Sequence, residues 1–403
     1  MAGVLEGIRV IDLTVWFQGP VASQHLADFG AEVIKVERPQ GGDQGRGVIS
    51  VKTMPTGDWN QYFMVINRNK KSLAVNLKEA AGQAILHRLV AESDVFLSNL
   101  GPATLKNWNL GYEKLAELNP GIVYATNTGY GMRGDVDKPS FDMTVQALSG
   151  LMPRLGEPGQ PPVYLGVGSG DAYGGMMSAL GILLALRRRR QTGRGQQLDA
   201  SLYGAQLFLA APMLQGYLAT GSDHYSKQRS RRDVPNPLWN LYPARDGWLA
   251  LCLENSDAAW QRLCGSLKAP DLETDARFAS SDLRCQNGPV LVDALDAALQ
   301  TRAVAEWIEA WQALDIPVSP VRTFDELAAD PQAWENDYLL TTWCESVERE
   351  VTVRGLPVGL SETPGRVQSL GPELGQHTEL LLTELLGYSW DEVAELKSAG
   401  AIP

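Results

Sequence analysis

The chain has 403 residues, 44% hydrophobic and 20% charged, a globular composition with enough length for about two to three domains. Acidic residues (47) outnumber basic residues (35), and the formal net charge of −12 argues against a general binder of nucleic acid or anionic membranes. Neither the four cysteines nor the four histidines are spaced as metal ligands, so we expect no metal. The start lacks a signal-peptide pattern, and the longest apolar run, 174–186, spans about 13 residues, too few for a bilayer. We predict a cytoplasmic protein without a membrane partner.

A strand, a helix and a second strand are predicted at the start of the chain. Residues 8–14 (IRVIDLT) are a short apolar run typical of a buried strand. Residues 19–30 have helical spacing that stops at Gly30, and residues 31–37 (AEVIKVE) repeat the strand pattern. Two strands joined by a helix run parallel, so this segment predicts a βαβ unit.

The same pattern continues and predicts an α/β sheet covered by helices on both faces. Strands are predicted at 72–77, 94–100 and 121–129, with a helix at 80–93. Residues 172–190 form a long apolar helix that ends in four arginines, which suit a helix C-terminus.

The composition of the sequence changes after residue 220. Residues 221–237 are polar and rich in helix breakers, which indicates a linker or an active-site loop. A strand is predicted at 246–254, a hinge at 315–331, and a last strand region at 352–360 before an amphipathic C-terminal helix. We therefore place domain boundaries near residues 220 and 330.

Common motifs for cofactor binding and for a serine nucleophile are weak or missing. Gly129, Gly131 and Gly134 form G-x-G-x-x-G after a strand, but the following residues DVDKPSFDM do not open the helix that would hold a pyrophosphate. No phosphate-binding P-loop and no G-x-S-x-G nucleophile elbow occur. A dinucleotide enzyme and a serine hydrolase are both disfavoured.

Positive charge gathers between residues 34 and 78. This segment has three acids and eight bases, a local excess of +5 that could hold a phosphorylated ligand. Ordinary surface lysines are the alternative interpretation. The bases are Lys35, Arg38, Arg46, Lys52, Arg68, Lys70, Lys71 and Lys78.

The segment GVGSGDAYGG (166–175) sets Asp171 among glycines just before the apolar helix. Glycines allow a ligand to approach the backbone, and amides at a helix start can stabilise an oxyanion. A carboxylate before a helix is also a common N-cap. From these residues alone, Asp171 is either an N-cap or a nucleophile.

Several motifs in order give the chain a nearly end-to-end resemblance to the class III CoA-transferases, the formyl-CoA transferase and carnitine CoA-transferase family. The resemblance implies a CoA-transferase that moves coenzyme A from an acyl-CoA to a free carboxylic acid, with Asp171 as covalent nucleophile. It also implies no cofactor beyond coenzyme A as substrate. The motifs are LEGIRVIDLT (5–14), GP (19–20), LADFGAEVIKVERP (26–39), NRNKKSLAVNL (67–77), NPGIVYATNTGYG (119–131), GVGSGDAYGG, TGRGQ (192–196) and GQHT (375–378).

The resemblance further implies an interlocked homodimer. Each chain would contribute a large Rossmann-like domain with a parallel sheet (1–220), to which residues 331–403 return, and a smaller middle domain (221–330). Backbone support for the oxyanion would come from Gly168, Gly170 and Gly174. The implied coenzyme A contacts are Phe17, Gln18, Arg38, Lys71, Asn99 and Lys106.

Some positions depart from formyl-CoA transferase. That enzyme has Gln where Phe17 stands, and its glycine-rich lid is replaced here by residues 232–247. Trp16, Phe17 and Trp239 therefore predict a larger and less polar acyl group than formyl or oxalyl. An α-methylacyl-CoA racemase would need a His where Phe141 stands, because a phenyl ring cannot exchange a proton. A non-catalytic acyl-CoA-binding protein is the remaining alternative, which acyl exchange would exclude.

Overall fold

Six strands form an all-parallel sheet: β1 (Arg9–Leu13), β2 (Glu32–Glu37), β3 (Lys70–Ala74), β4 (Val95–Ser98), β5 (Val123–Thr126) and β6 (Gln197–Asp199). Their order is β3-β2-β1-β4-β5-β6, so the chain reverses direction across the sheet between β1 and β4. This is the order of doubly wound sheets, in which ligands bind beyond the carboxyl ends of the strands near the reversal. The prediction of a Rossmann-like parallel sheet is confirmed.

The computed structural model describes residues 3–50, 56–134, 138–166 and 168–403. By internal packing the chain divides into two units. Unit 1 comprises Met1–Leu151, Tyr164–Gln215 and Pro331–Pro403, and unit 2 comprises Met152–Val163 and Gly216–Asp330.

Helices surround the sheet of unit 1. Ser201 begins one of them by accepting a hydrogen bond from the backbone of Gly204 on its hydroxyl, an ordinary N-cap. These helices are α1 (Gln18–Asp28), α2 (Gln61–Ile66), α3 (Ala80–Ala91), α4 (Pro102–Asn107), α5 (Tyr112–Leu118), α6 (Asp142–Leu148), α7 (Ser169–Thr192), α8 (Leu202–Leu209) and α9 (Ala211–Thr220), whose last turn belongs to unit 2, with a 3-10 helix at Gln44–Ser50.

Alternate strand residues build two hydrophobic layers, one on each face of the sheet. Val10 and Val33 point to the face that also holds Leu26 of α1 and Ile182 of α7. Their neighbours in sequence point to the opposite face, where Ile11 packs with the C-terminal segment. Burial on both faces explains why these strands read as continuous apolar runs.

Unit 2 combines helices with an antiparallel three-stranded sheet in the order β7-β8-β9. Trp260, Trp307 and Trp311 fill its core. Its elements are α10 (Asp223–Ser226), β7 (Trp239–Pro243), β8 (Trp248–Cys252), α11 (Asp257–Leu267), α12 (Pro270–Thr274), α13 (Ser281–Gln286), α14 (Gly288–Leu299), α15 (Val304–Gln312), β9 (Val318–Pro320) and α16 (Phe324–Ala328), with 3-10 turns at Met152–Arg154 and Ala276–Phe278.

The C-terminal segment packs within unit 1. Thr378 accepts a hydrogen bond from the backbone of Ala74, and Ala401 accepts one from Asn76, so the segment is tied to the end of β3. Its elements are α17 (Pro331–Glu335), β10 (Leu339–Cys344), β11 (Arg349–Arg354), α18 (Thr378–Leu380) and α19 (Trp390–Ser398), with a 3-10 turn at Glu345–Val347 and a π turn at Leu381–Leu385.

No described helix has the length and apolar character that a membrane span requires. Among the described residues, no three His, Cys, Asp or Glu side chains come together as a metal site would need.

Candidate active site

Asp171 lines a cavity of about 360 Å³ at the carboxyl edge of the main sheet. We call it the Asp171 cavity. It gathers residues from the loop after β1, the loop after β4, the end of β5 and the starts of α6 and α7. Its lining includes Val15, Trp16, Phe17, Gln18, Asn99, Leu100, Phe141, Asp142 and Asp171.

Asp171 lies in the first turn of α7 rather than before the helix. The N-cap is Gly168, in a left-handed conformation (φ 74°), and Asp171 is the third helical residue. The interpretation of Asp171 as an N-cap is therefore wrong. Its half-buried carboxylate has no hydrogen-bond or ion-pair partner among the described residues.

The surroundings of Asp171 disfavour its negative charge. Burial, together with the nearby Asp142 carboxylate, raises the pKa of Asp171 to about 7. The positive end of the α7 dipole acts in the opposite direction. A carboxylate that is unpaired and partly desolvated in a cavity is a candidate nucleophile or base.

Asp142 is a residue that the sequence analysis did not select, and it fixes the loop in front of α7. Its carboxylate accepts hydrogen bonds from the Tyr164 hydroxyl (2.8 Å), the Gly168 backbone N–H (3.0 Å) and the Gln206 amide (3.1 Å). Asp142 itself begins α6, so this helix holds the start of α7 in place. The only signal in the sequence was its position in SFDM, beside Phe141.

The three glycines predicted to support an oxyanion have different surroundings. The Gly168 amide is occupied by Asp142, and Gly174 lies inside the helical ladder, so neither offers a free N–H. Gly170 is in the first turn, where amides lack intrahelical partners. A Cβ on Gly170 would lie 2.2 Å from the Gln206 amide, and one on Gly174 would lie 2.8 Å from the Gln18 amide. Close packing therefore requires both residues, and of the three glycines only Gly170 has an amide without an intrahelical or Asp142 partner.

Phe17 and Gln18, implied coenzyme A contacts, line the Asp171 cavity together with Asp171. Gln18 starts α1 and donates from its side-chain amide to the Ala200 carbonyl (2.9 Å). The Phe17 ring lies 5.7 Å from that of Tyr62. Burial, and secondarily the charge of Asp171, raises the pKa of Tyr62, so this phenol stays protonated near the carboxylate.

A second cavity, of about 540 Å³, opens at the carboxyl ends of β1 and β2. We call it the Arg38 cavity. Arg38 is held by a hydrogen bond from its Nε to the Gly42 carbonyl (3.0 Å), and Lys78 and Trp108 also line the space. Val15 and Leu100 line both cavities, so the two adjoin.

Most of the positive charge between residues 34 and 78 is not available to a phosphorylated ligand. Five of the eight bases between residues 34 and 78 make ion pairs inside unit 1. Arg38 and Lys78 are the two bases that line the Arg38 cavity. Lys52 lies outside the described residues. The pairs are Lys35–Asp43 (2.8 Å), Arg46–Glu37 (2.7 Å), Arg68–Asp28 (2.7 Å), Lys70–Asp12 (2.9 Å) and Lys71–Glu32 (2.5 Å).

Three predicted contacts are not brought to the Arg38 cavity. Lys71 lies in the first half of β3, away from the carboxyl edge, and Lys106 is exposed on α4. Neither lines either cavity. Asn99 lines the Asp171 cavity, but its amide is bonded to the backbone of Val15.

Comparisons with known proteins agree with this geometry. A family profile described as CoA-transferase family III matches residues 5–378. Succinyl-CoA–D-citramalate CoA-transferase of Chloroflexus aurantiacus is 34% identical, covering 99% of this chain and 98% of that enzyme. Succinyl-CoA:glutarate CoA-transferase of Mus musculus is 33% identical, covering 99% and 90%. The crystal structure of a CaiB/BaiF family protein from Brucella suis is 28% identical with a TM-score of 0.85, covering 96% of this chain and 100% of that one.

Proposed function

The chain belongs to CoA-transferase family III, and we propose that it transfers coenzyme A between acyl groups through covalent intermediates on Asp171. CoA transfer between an acyl-CoA and a carboxylic acid is the activity of its relatives. The observation that carries the covalent step is the Asp171 carboxylate, which has no hydrogen-bond or ion-pair partner in the described parts of the chain and is half-buried in a cavity that adjoins the Arg38 cavity.

The first half of the reaction loads the enzyme. A carboxylate oxygen of Asp171 attacks the thioester carbonyl of the donor, and the C–S bond breaks to give a mixed anhydride and the coenzyme A thiolate. The thiolate then attacks the Asp171 carbonyl of the anhydride. The donor acid leaves as a carboxylate, and an aspartyl-CoA thioester remains.

The second half reverses these steps with the acceptor. The acceptor carboxylate attacks the aspartyl thioester, which again gives an anhydride and a thiolate. The thiolate attacks the acceptor carbonyl, and the C–O bond to Asp171 breaks. The products are the new acyl-CoA and the free Asp171 carboxylate, so each step conserves a high-energy bond.

The residues around Asp171 suit this sequence of charged intermediates. The Gly170 amide in the first turn of α7 can donate to the oxyanion of each tetrahedral intermediate. Trp16, Phe17 and Phe141 supply aromatic walls that limit access of water to the anhydride. Phe141 stands where racemase chemistry would require a proton-exchanging His, which favours transfer over racemisation.

The Arg38 cavity suits the nucleotide end of coenzyme A. It lies beyond the carboxyl ends of the strands beside the reversal, the usual ligand position in such sheets. Arg38 and Lys78 offer cations to phosphate groups, and Trp108 offers a ring for a base. Because the two cavities adjoin, the pantetheine arm would pass the loop at Val15 to reach Asp171.

Trapping the intermediate tests the proposal. The enzyme is incubated with succinyl-CoA, quenched with hydroxylamine or borohydride, and the modified peptide is mapped by mass spectrometry. We expect modification at Asp171. Glutarate, citramalate and a longer monocarboxylic acid serve as acceptors, because the named relatives use the first two.

Two variants separate nucleophile from structural support. Asp171→Asn keeps the shape and removes the anionic oxygen, and we expect a loss of several orders of magnitude in transfer. Asp142→Asn can keep one carbonyl oxygen for the Tyr164 hydroxyl and the Gly168 N–H but loses the acceptor for the Gln206 amide; it leaves the nucleophile in place, so covalent labelling should persist. Labelling at another residue, or normal turnover of Asp171→Asn, would overturn the mechanism.

A homodimer is part of the same proposal. Apart from Ile182, the buried residues of α7 are small, whereas large apolar side chains of α7 and α8 are exposed. Their exposed fractions are high for apolar groups: Leu180 49%, Leu184 62% and Phe208 64%. Patches of this kind usually mark an interface, and a second copy of the chain is the partner implied by the family.

A further inference from the structure

The loop Thr14–Phe17 is a partition between the two cavities. Thr14 and Val15 line the Arg38 cavity, and Val15, Trp16 and Phe17 line the Asp171 cavity. A shift of this backbone would move the Trp16 and Phe17 wall of the Asp171 cavity, whereas Arg38, Lys78 and Trp108 of the Arg38 cavity come from other segments.

Side chains from three other segments hold the partition by its backbone. Lys35 donates to the Thr14 carbonyl (2.8 Å), and Asp43 accepts from the Trp16 N–H (3.1 Å). Asn99 binds Val15 twice: its Oδ1 accepts from the Val15 N–H (2.9 Å), and its Nδ2 donates to the Val15 carbonyl (2.7 Å).

The residue that this network holds has an unfavourable conformation. Trp16 has φ 66°, in the left-handed region that bulky side chains rarely adopt. Such conformations persist where surrounding contacts fix them, and they are frequent at functional sites. Asn99 and Asp43 both bind the peptide group between Val15 and Trp16, directly before this strained residue, and Asn99 also accepts from the Val15 N–H.

We propose that Asn99 is a positioning residue that fixes the partition, and not a coenzyme A ligand as the family resemblance implies. The amide of Asn99 offers a separate acceptor (Oδ1) and donor (Nδ2), so it can accept from the Val15 N–H and donate to the Val15 carbonyl at once. Through Val15, Asn99 sets the position of Trp16 at the wall of the Asp171 cavity. This inference rests on the proposed function, because the reaction that Asn99 supports is the proposed transfer of coenzyme A.

Separate measurements of binding and turnover test this role. Asn99→Ala removes both hydrogen bonds, and Asn99→Asp keeps the acceptor but loses the donor. For both variants we expect kcat to fall at least tenfold while the Kd for free coenzyme A, measured by calorimetry, stays within twofold. Asn336→Ala, at an exposed asparagine bonded only to Gln332 within its own helix region, controls for the substitution. A tenfold weaker Kd with unchanged kcat would show that Asn99 is a ligand instead.

A double-mutant cycle asks whether Asn99 acts through Trp16. Trp16→Gly adopts a positive φ without steric cost, so the backbone needs less restraint. We expect Asn99→Ala to lower kcat by a smaller factor in the Trp16→Gly background than in the wild type. Equal factors in both backgrounds would overturn the positioning role. Wild-type enzyme that transfers coenzyme A to no acid would contradict the proposed function, while the Kd comparison would still decide whether Asn99 binds coenzyme A.

Discussion

Two opposing effects act on the negative charge of Asp171. Asp171 stands in the first turn of a helix, where a negative charge is favoured, and it is partly buried near another carboxylate, where a charge is disfavoured. The second effect is larger, and the pKa of Asp171 is about 7. A poorly solvated carboxylate is a stronger nucleophile once it is ionised. Partial burial at this position therefore favours nucleophilic attack by Asp171.

The pKa of Asp171 predicts the pH dependence of activity. The attacking form is the carboxylate, so kcat/KM should rise with pH and level off above about pH 7, because the free enzyme loses this proton near that pH. Rates measured from pH 5 to 9 with a stable thioester check this. A flat profile between pH 5 and 7 would contradict it.

The same pKa predicts how Asp171 affects stability. The folded-state pKa is raised from 3.8 to about 7, so the folded protein holds this proton more tightly than the unfolded chain does. The contribution of the protonated group is therefore complete below about pH 3.8 and is lost as the pH rises to about 7. Asp171→Asn should raise the melting temperature at pH 8 by about 1–3 °C and have little effect at pH 4. Thermal scans at both pH values test this sign.

Arg38 is predicted to bind the phosphate end of coenzyme A. Loss of one charge-assisted hydrogen bond should cost about 1.5–3 kcal/mol, or roughly 10- to 150-fold in affinity. Calorimetry on Arg38→Ala measures this, with Arg349→Ala as the control because Arg349 pairs with Asp58 at the surface. If both variants bind coenzyme A equally well, Arg38 is not a ligand.

Among single residues, the structure places Asp171, Phe17, Gln18 and Arg38, which the family resemblance implied as site residues, at the two cavities, whereas the count of local charge misjudged their surroundings. Lys35 and Lys70 look like surface bases in the sequence, yet both are buried against aspartates from other segments. A linear count of charge cannot detect such pairs, because their partners depend on which strands lie next to each other.

At the scale of elements, buried parallel strands were easier to predict than exposed antiparallel ones. The strands β1 and β2 are apolar on both faces and fell within the predicted segments. The strands β7 and β10 were missed because their exposed faces carry polar or aromatic residues and β7 follows a proline-rich stretch. α7 begins at Ser169, earlier than the predicted residue 172, since glycine near a helix start gives no clear N-terminal signal.

The contact between α7 and its neighbours should tolerate no side chain at position 170. In Gly170→Ala the new methyl group would lie 2.2 Å from the Gln206 amide and 2.3 Å from the Asp142 carboxylate. We expect a loss of about 1–3 kcal/mol in unfolding free energy and a fall in transfer activity, because Asp142 holds the loop before Asp171. Gly181→Ala, in the same helix next to a flexible leucine side chain, is the matched control. Unchanged activity in Gly170→Ala would show that this packing does not position the site.

At the scale of the whole molecule, the composition and the alternation of elements predicted the fold class, and the resemblance added the role of the C-terminal segment. That segment could not be assigned from its own residues. It contributes no strand to the main sheet, and its attachment consists of hydrogen bonds to the end of β3 and of leucines in the core beneath it. Contacts between residues so far apart in the sequence produce no periodic hydrophobic pattern from which they could be predicted.

The exposed leucines of α7 predict the assembly of the molecule. Large apolar side chains that face water are stabilised when a second surface covers them, since each buried methylene contributes about 0.8 kcal/mol. Sedimentation at micromolar concentration should therefore give twice the chain mass of 43.9 kDa. The double variant Leu180→Glu with Leu184→Glu places charges on this face and should yield monomers, whereas Lys114→Glu, on an exposed polar helix, should not. A wild-type chain that sediments as a compact monomer would contradict the dimer, and a dimer that survives both glutamates would place its interface elsewhere.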